Sequence, residues 1–199
     1  MTISMKSLLA AAVASLLANG AMAADGTINF TGEIVAASCG ISGGAGTGVS
    51  GEKGNKIIDV ELGKVSIDTL GGTAGGGIAG GTNINLNLDC GGTGTGLTHV
   101  QLKFDPASGS GFDSNTGLLK TTGDAKGVGI GLYKADGTRI NLANSSDVFE
   151  AELVKSGTEP DVTYKADMNL RAGYVMSGKV EDVKPGTAEG TLPFTLTYR

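Results

Sequence analysis

The chain has 199 residues, enough for one ordinary domain. Glycine fills 35 positions, aromatics are 5%, tryptophan is absent, and there are one histidine and two cysteines. A zinc site built from several histidines and a four-cysteine cluster are therefore excluded. A net charge of -5 argues against a nucleic-acid partner, and the glycines lack the Gly-X-Y period of collagen.

Residues 1–23 read as an export signal. Lys6 precedes an apolar run from Leu8 to Ala18, and Ala21-Met22-Ala23 has the small-x-small form of a signal-peptidase site. The run is short for a permanent membrane helix. The mature chain is expected to start at Ala24. In an oxidising compartment, Cys39 and Cys90 are expected to pair, two free buried thiols being the alternative.

Beyond the signal the chain alternates with period two, the pattern of half-buried strands. Ile28, Phe30, Gly32 and Ile34 alternate with Asn29, Thr31 and Glu33. Ile58, Val60 and Leu62 follow, then Ile84, Leu86, Leu88 and Cys90 against Asn83, Asn85, Asn87 and Asp89. Val100, Leu102 and Phe104 repeat the pattern, and Val128, Ile130 and Leu132 alternate with glycines. Leu170, Ala172, Tyr174 and Met176 form another such row, and Leu192, Phe194, Leu196 and Tyr198 close the chain.

Glycine-rich stretches at 40–54, 71–81, 91–96 and 108–117 read as connections. No long 3.6-residue apolar period occurs, although 65–70 has room for one helical turn. Many short strands between turn signals predict an all-β antiparallel sandwich, with one face of each sheet buried and the other wet.

Little in the chain suggests catalysis. The match to GxGxxG at 46–51 has no strand before it and no helix after it, so it reads as a loop. His99 is a lone histidine at a strand start, and no G-x-S-x-G elbow is present. No catalytic residue, cofactor or metal is expected.

The ends of the chain carry the most specific pattern. INFTGEIVAASCGI contains F-x-G-x-[IV]-V and a cysteine seven residues after Gly32. DVELGKVS, GVGIGLYKADGTRI and NLRAGYVMSGKVEDVKPGTAEGTLPFTLTYR follow in order. Gly186 is fourteenth from the end of the sequence and Tyr198 is penultimate. In these stretches and their spacing the chain resembles the type 1 fimbrial subunits, pilins assembled by the chaperone–usher pathway of Gram-negative bacteria. It departs from them in its extra glycine-rich loops and in the short arm before Phe30.

The resemblance implies an incomplete immunoglobulin-like β-sandwich, lacking one strand and completed by a donor strand from a neighbouring subunit. Residues 24–37 would be the donor arm, with Ile28, Phe30, Gly32 and Ile34 turned into the neighbour's groove, and 38–199 the pilin domain. Phe194, Leu196 and Tyr198 would form the chaperone-facing pattern of the last strand, with Gly186 ahead of it and the Arg199 carboxylate as an anchor. Leu170, Ala172 and Tyr174 would lie on the strand flanking the groove on its other side.

The partners so implied are other pilin subunits in a head-to-tail polymer, a periplasmic chaperone and an outer-membrane usher. The location is a fimbrium on the cell surface, serving cell adhesion; the host receptor stays unspecified. The alternatives are a minor adaptor or tip subunit with ligand binding of its own, and a self-complete secreted β-sandwich that binds a ligand.

Overall fold

The computed structural model describes residues 39–70 and 74–199. The chain divides into two compact units, Met1–Ile34 and Val35–Arg199, and everything described here lies in the second. The expected signal and the donor residues Ile28, Phe30, Gly32 and Ile34 fall outside the described residues.

The strands in chain order are β1 (Gly40–Gly43), β2 (Gly48–Ser50), β3 (Ile57–Asp59), β4 (Ala79–Asp89), β5 (His99–Phe104) and β6 (Leu119–Lys120). They continue with β7 (Val128–Lys134), β8 (Arg139–Ile140), β9 (Phe149–Glu152), β10 (Val154–Ser156), β11 (Thr163–Met176) and β12 (Phe194–Tyr198). Only short 3-10 turns interrupt them, so the described fold is all-β. One of these turns, Ile67–Thr69, lies in the stretch with room for a helical turn.

One sheet has the order β1-β4-β11-β7-β6, with β10 added on β11 and β8 on β7. A second sheet has the order β12-β5-β9, and β2 and β3 form a separate hairpin. Every strand pair is antiparallel.

The period-two rows become the core because alternate side chains of a strand share one face. Ile84, Leu86 and Leu88 of β4 pack with Val100 and Leu102 of β5 and with Met168 and Leu170 of β11. Each fully buried side chain of this size contributes about 1.5–3 kcal/mol. Cys39 and Cys90 form a disulfide. β1 pairs with β4 through Gly40 opposite Asp89, so the two cysteines occupy the next rung of the same ladder. The expected pairing is present, and it ties the first strand of the domain to β4.

Three expectations change. Residues 40–54, read as a connection, contain β1 and β2, because backbone pairing needs no side chains and glycines carry no period-two signal. Residues 57–62 make a strand only over Ile57–Asp59, paired to β2 and not to either larger sheet. The outer face of the larger sheet is not wet throughout: Gly129, Gly131 and Tyr133 of β7 and Gly173 and Val175 of β11 are all buried.

The cause of that burial lies in the glycine-rich stretch before β4. Ile78 folds over the outer face beside Leu118, Tyr133 and Val175. A Cβ at Gly173 would come within 3.0 Å of the Ile78 Cβ, so glycine is what lets the crossing chain settle there. The Tyr133 hydroxyl donates to the Gly76 carbonyl at 2.9 Å and Arg139 Nη1 donates to the Gly75 carbonyl at 2.9 Å. The Gly75 amide donates to the Met176 carbonyl at 2.8 Å. Residues 74–78 are therefore a strap bonded to the sheet.

An apolar groove as the candidate functional site

β12 is the edge of its sheet: its five residues pair with β5 on one side only. Its apolar row Phe194, Leu196 and Tyr198 is half-buried, while Thr195 and Thr197 are exposed. Alongside this edge runs an apolar groove of about 1590 Å³. β12 forms one wall and residues 57–62 form the other. Between them the groove is lined by both sheets, with Ile84 and Leu86 of β4, Ile130 and Leu132 of β7, Leu170 and Ala172 of β11, and Leu102 and Phe104 of β5.

A tyrosine hydroxyl ties each end. At one end the Cys39 amide donates to the Tyr198 hydroxyl at 3.2 Å. At the other, the Tyr174 hydroxyl donates to the Ala188 carbonyl at 2.7 Å. Burial pushes the Tyr174 phenol above its ordinary value of 10.0, and the Glu189 charge adds to the effect. Tyr174 therefore stays protonated at neutral pH and keeps its donor.

The residues singled out in the sequence are placed as follows. Leu170, Ala172, Tyr174, Phe194, Leu196 and Tyr198 all line the groove. Leu170, Ala172 and Tyr174 form floor and not flank, because β11 pairs with β4 on one side and β7 on the other and so lies inside its sheet. The far wall is residues 57–62 instead.

Gly186 is outside the groove lining. A Cβ there would come within 2.5 Å of the Ala125 amide nitrogen and 2.8 Å of the Asp124 Cβ, so the glycine permits two backbones to meet. The Arg199 carbonyl oxygen accepts from the amides of Thr98 at 2.6 Å and His99 at 3.0 Å, which fixes the end of β12 against β5.

Sequence reading missed Ile58, Val60 and Leu62 as a groove wall, although their alternation was visible. What it lacked was the identity of the neighbour they face.

A family model described as "Fimbrial protein" matches residues 28–199. The chain belongs to the fimbrial protein family. This is a family of structural proteins, not of enzymes, and membership makes other fimbrial subunits its partners and a surface fimbria its setting.

A type-1 fimbrial protein subunit of Serratia marcescens is 29% identical over 210 aligned residues, covering 96% of each chain. Among solved structures, a chaperone–usher pilus has the same fold with a TM-score of 0.52 and 21% identity, covering 88% of this chain and 96% of that one. A tip adhesin from Pseudomonas aeruginosa matches with a TM-score of 0.49 and 22% identity over 69% of this chain. The match spans 35% of that adhesin's length.

Proposed function

We propose that the chain is a structural subunit of an extracellular fimbria that polymerises by donor-strand exchange and serves cell adhesion. Residues 24–37 of one copy enter the groove of the next and pair with β12. The observation that supports this reading is the β12 edge, a strand with one unpaired side that borders an apolar groove. Such an edge is a template for β-augmentation by an extended segment of alternating pattern. Residues 24–37 have that pattern in sequence: Ile28, Phe30, Gly32 and Ile34 alternate with Asn29, Thr31 and Glu33. Each of the three large side chains contributes about 1.5–3 kcal/mol when fully buried.

The donating arm and the accepting groove are different surfaces of the chain, so the contact is heterologous and grows a filament. Before assembly a periplasmic chaperone covers the same edge with a strand of its own, and an outer-membrane usher exchanges that strand for the arm of the next subunit. Phe30→Asp places a charge in the groove, and Gly32→Trp holds the two backbones apart. Both variants are expected to co-purify with the chaperone but to form no surface fibres in electron micrographs. Normal fibres from both would remove residues 24–37 as the donor.

A further inference from the structure

The outer face of the two central strands of the larger sheet has an unusual composition. β4 and β11 pair through Asn83 opposite Arg171, Asn85 opposite Asn169, Asn87 opposite Asp167, and Asp89 opposite Lys165. Directly opposed residues share a face, so these eight side chains stand together, away from the groove-side row of Ile84 and Leu86. All are exposed except the half-buried Asn85, so the strap that covers Tyr133 and Val175 leaves this part of the sheet open.

Six of the eight are Asn or Asp. Strands disfavour both, and a face that only had to be wet would be served better by threonine, which strands favour. A local preference overridden this consistently points to use of the side chains themselves. Some are held in place. Asn87 Nδ2 donates to Asp167 Oδ1 at 2.7 Å, Asn85 Nδ2 donates to the Ala45 carbonyl at 2.8 Å, and Lys165 Nζ lies 3.4 Å from Asp89 Oδ2. Among the described residues, the side-chain amides of Asn83 and Asn169, diagonal neighbours in the ladder, make no hydrogen bond.

We infer that this face binds a neutral, hydroxyl-rich oligosaccharide. A carboxamide offers a donor and an acceptor side by side, and a sugar hydroxyl is itself both, so each Asn can pair with two neighbouring hydroxyls. Neighbouring strands lie about 4.8 Å apart, a spacing that the hydroxyls of a single hexose bridge. Other ligand classes fit less well. Asp89 and Asp167 balance Lys165 and Arg171, so the face has no net charge to draw a nucleic acid or an anionic glycan. None of the eight is apolar or aromatic, whereas the centre of a protein interface is rich in such anchors and poor in Asp and Lys. The face lies on the opposite side of the sheet from the groove, so the inference does not depend on how copies assemble. On the filament reading above, it would recur once per subunit and weak sites would add as avidity.

The test is a titration of the isotope-labelled, disulfide-bonded chain from Ala24 onward with cellotetraose, chitotetraose, maltotetraose and α-mannotetraose, read by amide chemical shifts. At least one is expected to shift amides of β4 and β11 and to leave those of β5 and β12 unchanged. Asn83→Val combined with Asn169→Val removes two amides and supplies a residue that strands favour. The double variant is expected to keep or gain stability in urea while binding that sugar about tenfold or more weakly. Unchanged binding by a folded double variant would overturn the inference. So would the absence of shifts in β4 and β11 with all four sugars at about 10 mM. Tighter binding of sialyllactose than of every neutral sugar would overturn the ligand class. Self-association of the chain that the double variant abolishes, seen by sedimentation, would assign the face to a second copy instead.

Discussion

The amide of Cys39 donates to the hydroxyl of Tyr198 across 159 residues of sequence, joining the root of the first strand to the last residue of β12. The same Cys39 is bonded to Cys90, so one residue connects the C-terminal strand, the start of β1 and the end of β4. Tyr198 thus does two things: its ring lines the groove and its hydroxyl fixes that end of it. Tyr198→Phe separates the two. It is expected to lower stability by about 1 kcal/mol, the usual net value of one hydrogen bond, while leaving chaperone co-purification intact. Tyr198→Ala removes the ring as well and is expected to lower periplasmic subunit levels. Denaturant melts and immunoblots of periplasmic fractions check the two.

The disulfide closes a span of 51 residues, and the chain-entropy relation assigns such a crosslink about 4 kcal/mol. Reduction is expected to shift the urea midpoint down without altering the slope strongly. Thiol labelling of the unreduced, denatured protein should find no free cysteine.

Gly186 offers a sharper stability test, since its missing side chain is what lets residues 124–125 pass close by. The obstructing atoms are mainly backbone and cannot move aside as a flexible side chain would. Gly186→Ala is expected to cost about 1–3 kcal/mol through overpacking. Gly137→Ala, where the added Cβ meets nothing within 4 Å, is the comparison in which no overpacking occurs.

The backbone amide of Thr116, followed by that of Asn115, holds the Asp113 carboxyl below the ordinary value of 3.8, against the opposing effect of desolvation. A carboxyl lowered in the folded state contributes stability that is present above its unfolded pKa. That contribution is lost as pH falls through the folded pKa. Asp113→Asn keeps an oxygen to accept both amides but cannot titrate. Its stability is expected to fall less steeply than the wild type's below about pH 4, measured by urea melts from pH 2 to 7.

The two-layer β fold was legible because its core strands alternate cleanly: the rows at Ile84–Leu88, Val100–Phe104 and Leu170–Tyr174 all turn inward. The pairing of Cys39 with Cys90 was legible from the export context. β1 and β2 were not, because glycine-rich strands such as GISG and GVS have backbone pairing and little side-chain pattern. The floor position of β11 was hidden for a different reason. Alternation identifies which face of a strand is buried, not which strands flank it. The strap at 74–78 was likewise hidden, since its anchors Tyr133, Arg139 and Gly173 are distant in sequence.

The central claim is that the groove receives the arm of another copy. Disulfide trapping in assembled fibres tests it most directly. Subunits carrying Phe30→Cys are to be mixed with subunits carrying Cys at Leu170, Ala172 or Leu196 in turn, in a background where Cys39 and Cys90 are already paired. The account predicts that at least one pair gives crosslinked dimers on non-reducing gels, and that both substitutions in one chain give a ladder of higher oligomers. Intact fibres without any intermolecular crosslink, or crosslinks formed only within a single chain, would contradict it.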